Sequence, residues 1–393
     1  MRQDWKWMAV AIVTAVAING GALAAPYTPA DDGVVLERLP EALDPALAEL
    51  KRMRAALRAN PNDLDHAARL ARRCIEAARE TGDPRFLGQA QAALAPWWAA
   101  ADPPPPALLL RATVKQSQHD FSGALADLDR LLAVRAGDGQ ALLTRATILT
   151  VLGRYADAQR DCAKLVRLAS GLVTTTCLAG ASSLNGDAAG AYRGLVQALA
   201  RAGDTAGTRA WALTLAAEIA ARRGEAGAAD IHFREALALD PRDAYLVAAY
   251  ADFLLGQARA REAASLLADS AKNDALLLRL ALAERSLPDK RGEFADHRRE
   301  LADRFAAARR RGDTVHLREE ARFRLDVEND IPAALILAKA NWNVQREPAD
   351  LRILAAAARA SGESDARRTV TDWLASTRLE DVAVVALAER RAP

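Results

Sequence analysis

"LLTRATILTVLGRYADAQRDCAKLVRL", Leu142 to Leu168, carries no catalytic signature, yet it repeats the skeleton of the stretch before it, "LLLRATVKQSQHDFSGALADLDRLLAV", Leu108 to Val134. Leu108 aligns with Leu142, Ala112 with Ala146, Phe121 with Tyr155 and Ala124 with Ala158, each 34 residues apart. Each copy has two runs with apolar residues at helical spacing, separated by a short polar turn, which reads as one helical pair written twice. A small residue recurs near the middle of the first run and soon after the turn. Two helices that cross closely need small side chains at the crossing, since a larger group would push them apart.

The two small positions continue along the chain. First helices supply Ala112, Ala146, Ala179, Ala217 and Ala251, and second helices supply Ala124, Ala158, Ala191, Ala229 and Ala263. Both series step by 34, 33, 38 and 34. A shared irregular step of 38 is not a product of alanine-rich composition. The extra residues are placed at "RAGDTAGT", Arg201 to Thr208, whose turn chemistry absorbs an insertion on the surface.

On these residues the chain resembles the tetratricopeptide-repeat family, whose unit is a helix-turn-helix of 34 residues. The best single unit is "WALTLAAEIAARRGEAGAADIHFREALALDPRDA", Trp211 to Ala244, with Gly224 at the turn, Ala229, Phe233 and Ala236 on the second helix, and Pro241 closing it. Leu108, Leu142, Thr175 and Leu213 stand where the family often has Trp. The resemblance implies an all-α fold, a right-handed α-solenoid of antiparallel helix pairs. Five units span 108–273. Before them lie irregular repeat-like helices over 41–101 and a proline-rich joint over 102–107. After them, 274–393 holds degenerate repeat-like helices and a C-terminal cap, with helices expected at 275–286, 292–311, 315–325, 331–344, 349–360 and 365–376.

The composition agrees with helices: 51% of residues are apolar while only 5% are aromatic, with Ala and Leu dominant. Lys and Arg number 53 against 51 Asp and Glu, so no field is present that would gather nucleic acid. The first residues read as a secretory signal peptide over 1–24: Arg2 and Lys6, an apolar run from Met8 to Ile18, then small residues ending in Ala22-Leu23-Ala24. Cleavage is expected after Ala24, followed by an extended segment over 25–40. The alternative is an uncleaved anchor, since the run with its flanks reaches the roughly 17 residues that a tilted span needs. No Cys follows the small residues, so no lipid anchor is expected. The expected location is periplasmic or secreted.

Three cysteines, Cys74, Cys162 and Cys177, cannot form a complete disulfide framework. They are read as small buried apolar side chains, with a Cys162–Cys177 bridge between neighbouring helices as the alternative. No metal, phosphate-loop or nucleophile motif is present, and the five histidines lack ligand spacing. No metal site, cofactor or catalytic residue is therefore expected. His297 with Glu293, Asp296 and Glu300 reads as a solvated helix face, and Arg309-Arg310-Arg311 as a helix C-terminus.

What the resemblance implies about function is a groove lined by first helices. Its lining residues would be Thr113 and Gln116; Thr147 and Thr150; Gly180 and Ser183; Thr214 and Glu218; Ala248 and Asp252; with Trp211 and Tyr245 in equivalent places 34 apart. No Lys, Arg or Asn stands there, so the groove is expected to be hydroxyl-rich, mildly acidic and unsuited to an acidic peptide terminus. The expected protein is an exported, non-enzymatic interaction scaffold for a neutral or basic protein or peptide, with no nucleic-acid partner. The alternatives are a solenoid subunit of an envelope polysaccharide-processing or secretion complex, and an enzyme built on Glu218 and Asp252.

Overall fold

A computed structural model describes Asp31 and residues 45–201, 203–313 and 315–389; the signal-peptide segment lies outside these. The chain divides into two compact units, Met1–Ala48 and Glu49–Pro393. The described residues of the second unit form helices and connecting turns, without strands.

In order the α-helices are α1 (Pro45–Ala59), α2 (Leu64–Thr81), α3 (Arg85–Ala93), α4 (Ala95–Trp98), α5 (Pro105–Ser117), α6 (Phe121–Val134), α7 (Gly139–Val151), α8 (Tyr155–Lys164), α9 (Gly171–Ser182) and α10 (Ala188–Leu199). They continue with α11 (Ala206–Arg222), α12 (Ala226–Leu239), α13 (Ala244–Gly256), α14 (Ala260–Leu266), α15 (Asp274–Arg285), α16 (Arg291–Arg310), α17 (Leu317–Asp326), α18 (Ile331–Val344), α19 (Pro348–Ser361), α20 (Ser364–Thr377) and α21 (Val382–Glu389). The odd-numbered helices from α5 to α21 each touch the next odd-numbered one, and α2 touches α5. Each even-numbered helix from α6 to α14, and likewise α18 and α20, packs between the two odd-numbered helices that flank it in sequence, while α16 packs on α15. The result is an inner layer of first helices and an outer layer of second helices, an α-solenoid of helix pairs.

Local chemistry explains why each pair forms. All ten alanines of the two series are buried, eight of them to 1% exposure or less, so they sit at the crossings as their size requires. The turn between paired helices has one residue in the left-handed region: His119, Gly153, Gly186, Gly224 and Ala258, with φ from 57° to 83°. These five step by the same 34, 33, 38 and 34. In each case the next residue donates its N–H to the carbonyl five back, as in Arg154 to Leu149 at 2.8 Å and Glu225 to Ala220 at 2.9 Å, the bond that closes a Schellman motif. Side-chain caps start the inner helices: Asp138, Ser170, Thr205 and Asp243 each accept the N–H of the third residue on.

Three features differ from the sequence-based expectation. The 38-residue step is not a longer loop, because Ala206, Gly207 and Thr208 already belong to α11, which has 17 residues against 12 in α9 and 13 in α13. Four added residues make about one helical turn, so the helix lengthens while the same face still points at its neighbours. Only part of the tetraproline is a joint, since Pro105 and Pro106 form the first turn of α5, where a missing N–H has no helical partner to lose. Cys162 and Cys177 are not separate thiols; they form a disulfide between α8 and α9 with a Cα–Cα distance of 5.5 Å. Both lie at core positions of adjacent pairs, and pair stacking brings those positions together. Cys74 is free and buried.

The later helices return to the earlier ones. The Arg346 N–H donates to the Val151 carbonyl at 2.7 Å, the Ala188 N–H donates to Glu380 Oε1 at 3.2 Å, and the Trp373 ring meets Tyr155 edge-on at 6.2 Å. One core cluster accordingly holds Leu142, Tyr155 and Cys162 together with Trp342, Leu354 and Val370. Thus α18 to α21 pack on the interhelix turns of the central pairs.

Candidate functional site

The inner layer is where first helices present their free faces to one another. Asp252, next to the crossing residue Ala251 on α13, accepts Arg279 Nη2 from α15 at 2.7 Å and Arg322 Nη1 from α17 at 2.5 Å. A bond that passes over α15 to reach α17 shows how sharply the layer curves. Burial pushes the Asp252 carboxyl up, but the two guanidiniums outweigh it and hold the group at about 2. Both oxygens are engaged, so Asp252 is a structural anion rather than a free base. One step further, Arg318 on α17 holds Asp350 on α19 through Nε at 2.6 Å and Nη2 at 3.0 Å, and also reaches Glu347. Arg352 pairs with Asp381 at 3.1 Å.

Arginines from α15, α17 and α19 therefore enter a layer that was expected to be hydroxyl-rich and lacking in basic groups. Sequence reasoning missed them because the small-residue spacing that locates inner faces stops at Ala263. The remaining signal is faint: Ala281 on α15 and Ala321 on α17 are fully buried, at uneven spacing.

The hydroxyl expectation also changes. Thr113, Thr147, Thr150 and Thr214 each donate Oγ1–H to the carbonyl four residues back, at 2.8 to 3.0 Å. Their donors are thus satisfied within their own helices. Thr214 and Ser183 are buried rather than groove-facing, and only Thr147 of the expected hydroxyl set is well exposed.

The aromatics behave differently. Trp211 is 38% exposed and Tyr245 is 58% exposed, although both are large and lie on inner helices. The Tyr245 hydroxyl donates to Glu218 Oε1 at 2.7 Å, tying the start of α13 to the last third of α11. The surrounding walls crowd this corner: desolvation raises the Glu218 carboxyl above its usual range and raises the Tyr245 phenol well above its own. Arg222, one turn after Glu218, is buried and donates through Nη2 to Ser183 Oγ at 3.0 Å. The structure so joins Glu218 of α11 to Tyr245 of α13, with Trp211 seven residues before Glu218 on α11, and leaves Thr147, Thr150 and Asp252 as separate inner-layer residues. Of the alternative acid-base pair, only Glu218 is free of an arginine clamp.

Elsewhere, His297 does not join Glu293, Asp296 and Glu300; its Nδ1 lies 2.8 Å from Glu284 of the preceding helix. Among the described residues no group of His, Cys, Asp and Glu could hold a metal ion, and no helix is long and apolar enough to cross a membrane.

No protein-family model matches this sequence, and neither does any curated protein. Solved structures with a similar arrangement of helices include a tetratricopeptide repeat protein from Parabacteroides merdae, 17% identical, covering 61% of this chain and 92% of that one, with a TM-score of 0.46. Human IFIT1 in complex with m7Gppp-AAAA is 14% identical over 88% of this chain and 86% of that one, with a TM-score of 0.40. Yeast Tom70 is 13% identical over 88% and 91%, with a TM-score of 0.35. These are distant likenesses, and the assignment of fold stands on the chain's own helix pairs, crossing alanines and repeated left-handed turns: the protein is a tetratricopeptide-like α-solenoid.

Proposed function

We propose that this protein is an exported, non-enzymatic scaffold that holds a neutral or basic protein or peptide segment against the inner faces of α11 and α13. The observation that carries the reading is the contrast within the inner layer. Asp252, Asp350 and Asp381 are all engaged by arginines, whereas Trp211 and Tyr245 keep large exposed ring surfaces, and Tyr245 is held to Glu218. Exposed aromatic rings on a rigid scaffold give contact area with little loss of side-chain entropy, which suits recognition of an extended chain. A carboxylate at Tyr245 favours a neutral or basic partner over an acidic one.

Export is supported by the reading of residues 1–24 as a signal peptide and by the Cys162–Cys177 bridge, since disulfides persist in oxidising compartments. The contact set under this reading is Trp211, Glu218 and Tyr245, with Thr147 and Thr150 as further groove residues apart from it on α7. Asp252 and Thr214 act through the architecture. The test is capture of partners from the native envelope by the mature protein, comparing wild type with Trp211→Ala and Tyr245→Ala. Loss of the captured partner by both variants, with helicity unchanged by circular dichroism, is the expected result. Undiminished capture by both overturns the groove reading.

A further inference from the structure

Glu218 and Arg222 stand one turn apart on α11, in the order and spacing that normally closes an ion pair along a helix. They do not close it. Glu218 takes its hydrogen bond from the Tyr245 hydroxyl, and Arg222 donates only to the neutral Ser183 Oγ. The Arg222 Nε is buried and meets no acceptor, while the whole residue is only 7% exposed.

The nearby charges do not make up the difference, because Arg352 and Asp381 are paired with each other and Glu347 with Arg318. Burial acts on both unpaired groups in the direction of neutrality, raising the Glu218 carboxyl and lowering the Arg222 guanidinium. A buried charge without a charged partner is among the costlier features a fold can keep. Two opposite charges held apart on one face are instead matched to something that reaches both.

We propose that the Glu218–Arg222 turn is a binding site for a dipolar unit, with a hydrogen-bond donor on Glu218 and an acceptor on Arg222. Four residues of helix separate the two positions by about 6 Å along the axis. That span, plus the lengths of the two side chains, admits a donor and an acceptor carried on neighbouring atoms. The chemistry is that of an α-ammonium beside an α-carboxylate in a free amino acid, or of the N–H and C=O of one residue in an extended peptide. The exposed ring of Tyr245 lies beside the donor end and supplies a surface for the ligand's carbon atoms. This site rests on the groove reading above and specifies what part of a partner the groove grips.

The experiment is thermal unfolding of the mature protein and of Glu218→Gln and Arg222→Met, alone and with glycine, alanine or N-acetylated, C-amidated trialanine at millimolar concentration. A ligand that binds only the folded state raises the unfolding midpoint, by an amount that grows with the logarithm of its concentration above the dissociation constant. The expected result is a rise in the wild-type midpoint with ligand, loss of that rise in both variants, and variant midpoints without ligand at or above the wild-type value. A shift with the free amino acids alone identifies the zwitterion as the ligand; a shift with the blocked peptide identifies the main chain. Lowered midpoints in both ligand-free variants would show that the two charges hold the fold together and would overturn the proposal, as would a wild-type midpoint that no probe moves. Partner capture that depends on Trp211, which lies outside the pair, combined with either of those results would leave the groove reading standing and remove this one.

Discussion

Replacing Gly153 by alanine tests how the late helices are seated on the central pairs. Gly153 has φ +74°, and a Cβ there would stand inside the Trp373 indole, 3.0 Å from Cζ2 and closer still to Cη2. Two penalties add. The left-handed backbone costs alanine about 1–2 kcal/mol relative to glycine. Moving Trp373 then weakens its edge-on contacts with Trp342 and Tyr155 and its stacking under Arg346, each of which contributes about 0.5–1.5 kcal/mol. The expected total loss is about 3 kcal/mol. Gly224→Ala is the internal control: its φ is +80°, but the nearest neighbour of the new Cβ, Val382, is 3.7 Å away, so only the backbone penalty of about 1–2 kcal/mol applies. The assay is urea unfolding followed by circular dichroism and tryptophan fluorescence. In a Trp373→Ala background the Gly153→Ala loss should fall to the Gly224→Ala value. Equal Gly153→Ala losses in the wild-type and Trp373→Ala backgrounds would refute the proposed seating of α20 on this turn.

Ala258 occupies the same left-handed position at φ +57°, so Ala258→Gly should raise stability by about 1 kcal/mol in the same assay. Asp252 has its carboxyl held at about 2, below its ordinary range, so the stability it contributes is present at neutral pH and is lost as pH falls through that value. Asp252→Asn should therefore cost roughly 2 kcal/mol at pH 7, and the gap from wild type should close between about pH 4 and pH 2 in acid titrations of stability. The Cys162–Cys177 bridge closes a separation of 15 residues, so the Cys162→Ser, Cys177→Ser double variant should lose about 3 kcal/mol of stability in denaturant unfolding, matching the effect of reductant on wild type. Mass spectrometry of the mature protein should show its N-terminus at Ala25.

Much of the fold is legible in the sequence because the interactions behind it are local. Ala146 and Ala158 are both within one helical pair, Gly153 lies between them, and Asp138 caps the helix it precedes. Such contacts recur at one period and leave one spacing list three times over, in two alanine series and in the left-handed turn. The helices after Asp274 are also legible, from apolar periodicity, with ends within two residues or so of those observed. The inner layer is less so. Trp211, Glu218 and Tyr245 are recognisable from their register, but the exposure of Thr147 against the burial of Thr214 is not, because burial on an inner helix depends on what the neighbouring pair sets against each position.

By itself, then, the sequence determines the helical pair, its crossing residues and the order in which pairs stack, since each pair contacts mainly its neighbours. Only the tertiary structure decides what meets across the array. Asp252 and Arg322 are 70 residues apart, and Ala188 and Glu380 are 192 apart; no period in the sequence links them. Their meeting depends on a small rotation per pair that accumulates over many pairs. That accumulated curvature brings the arginines of α15 and α17 onto α13 and lays Trp373 over Gly153, while contacts from neighbouring helices draw Glu218 to Tyr245 and Arg222 to Ser183.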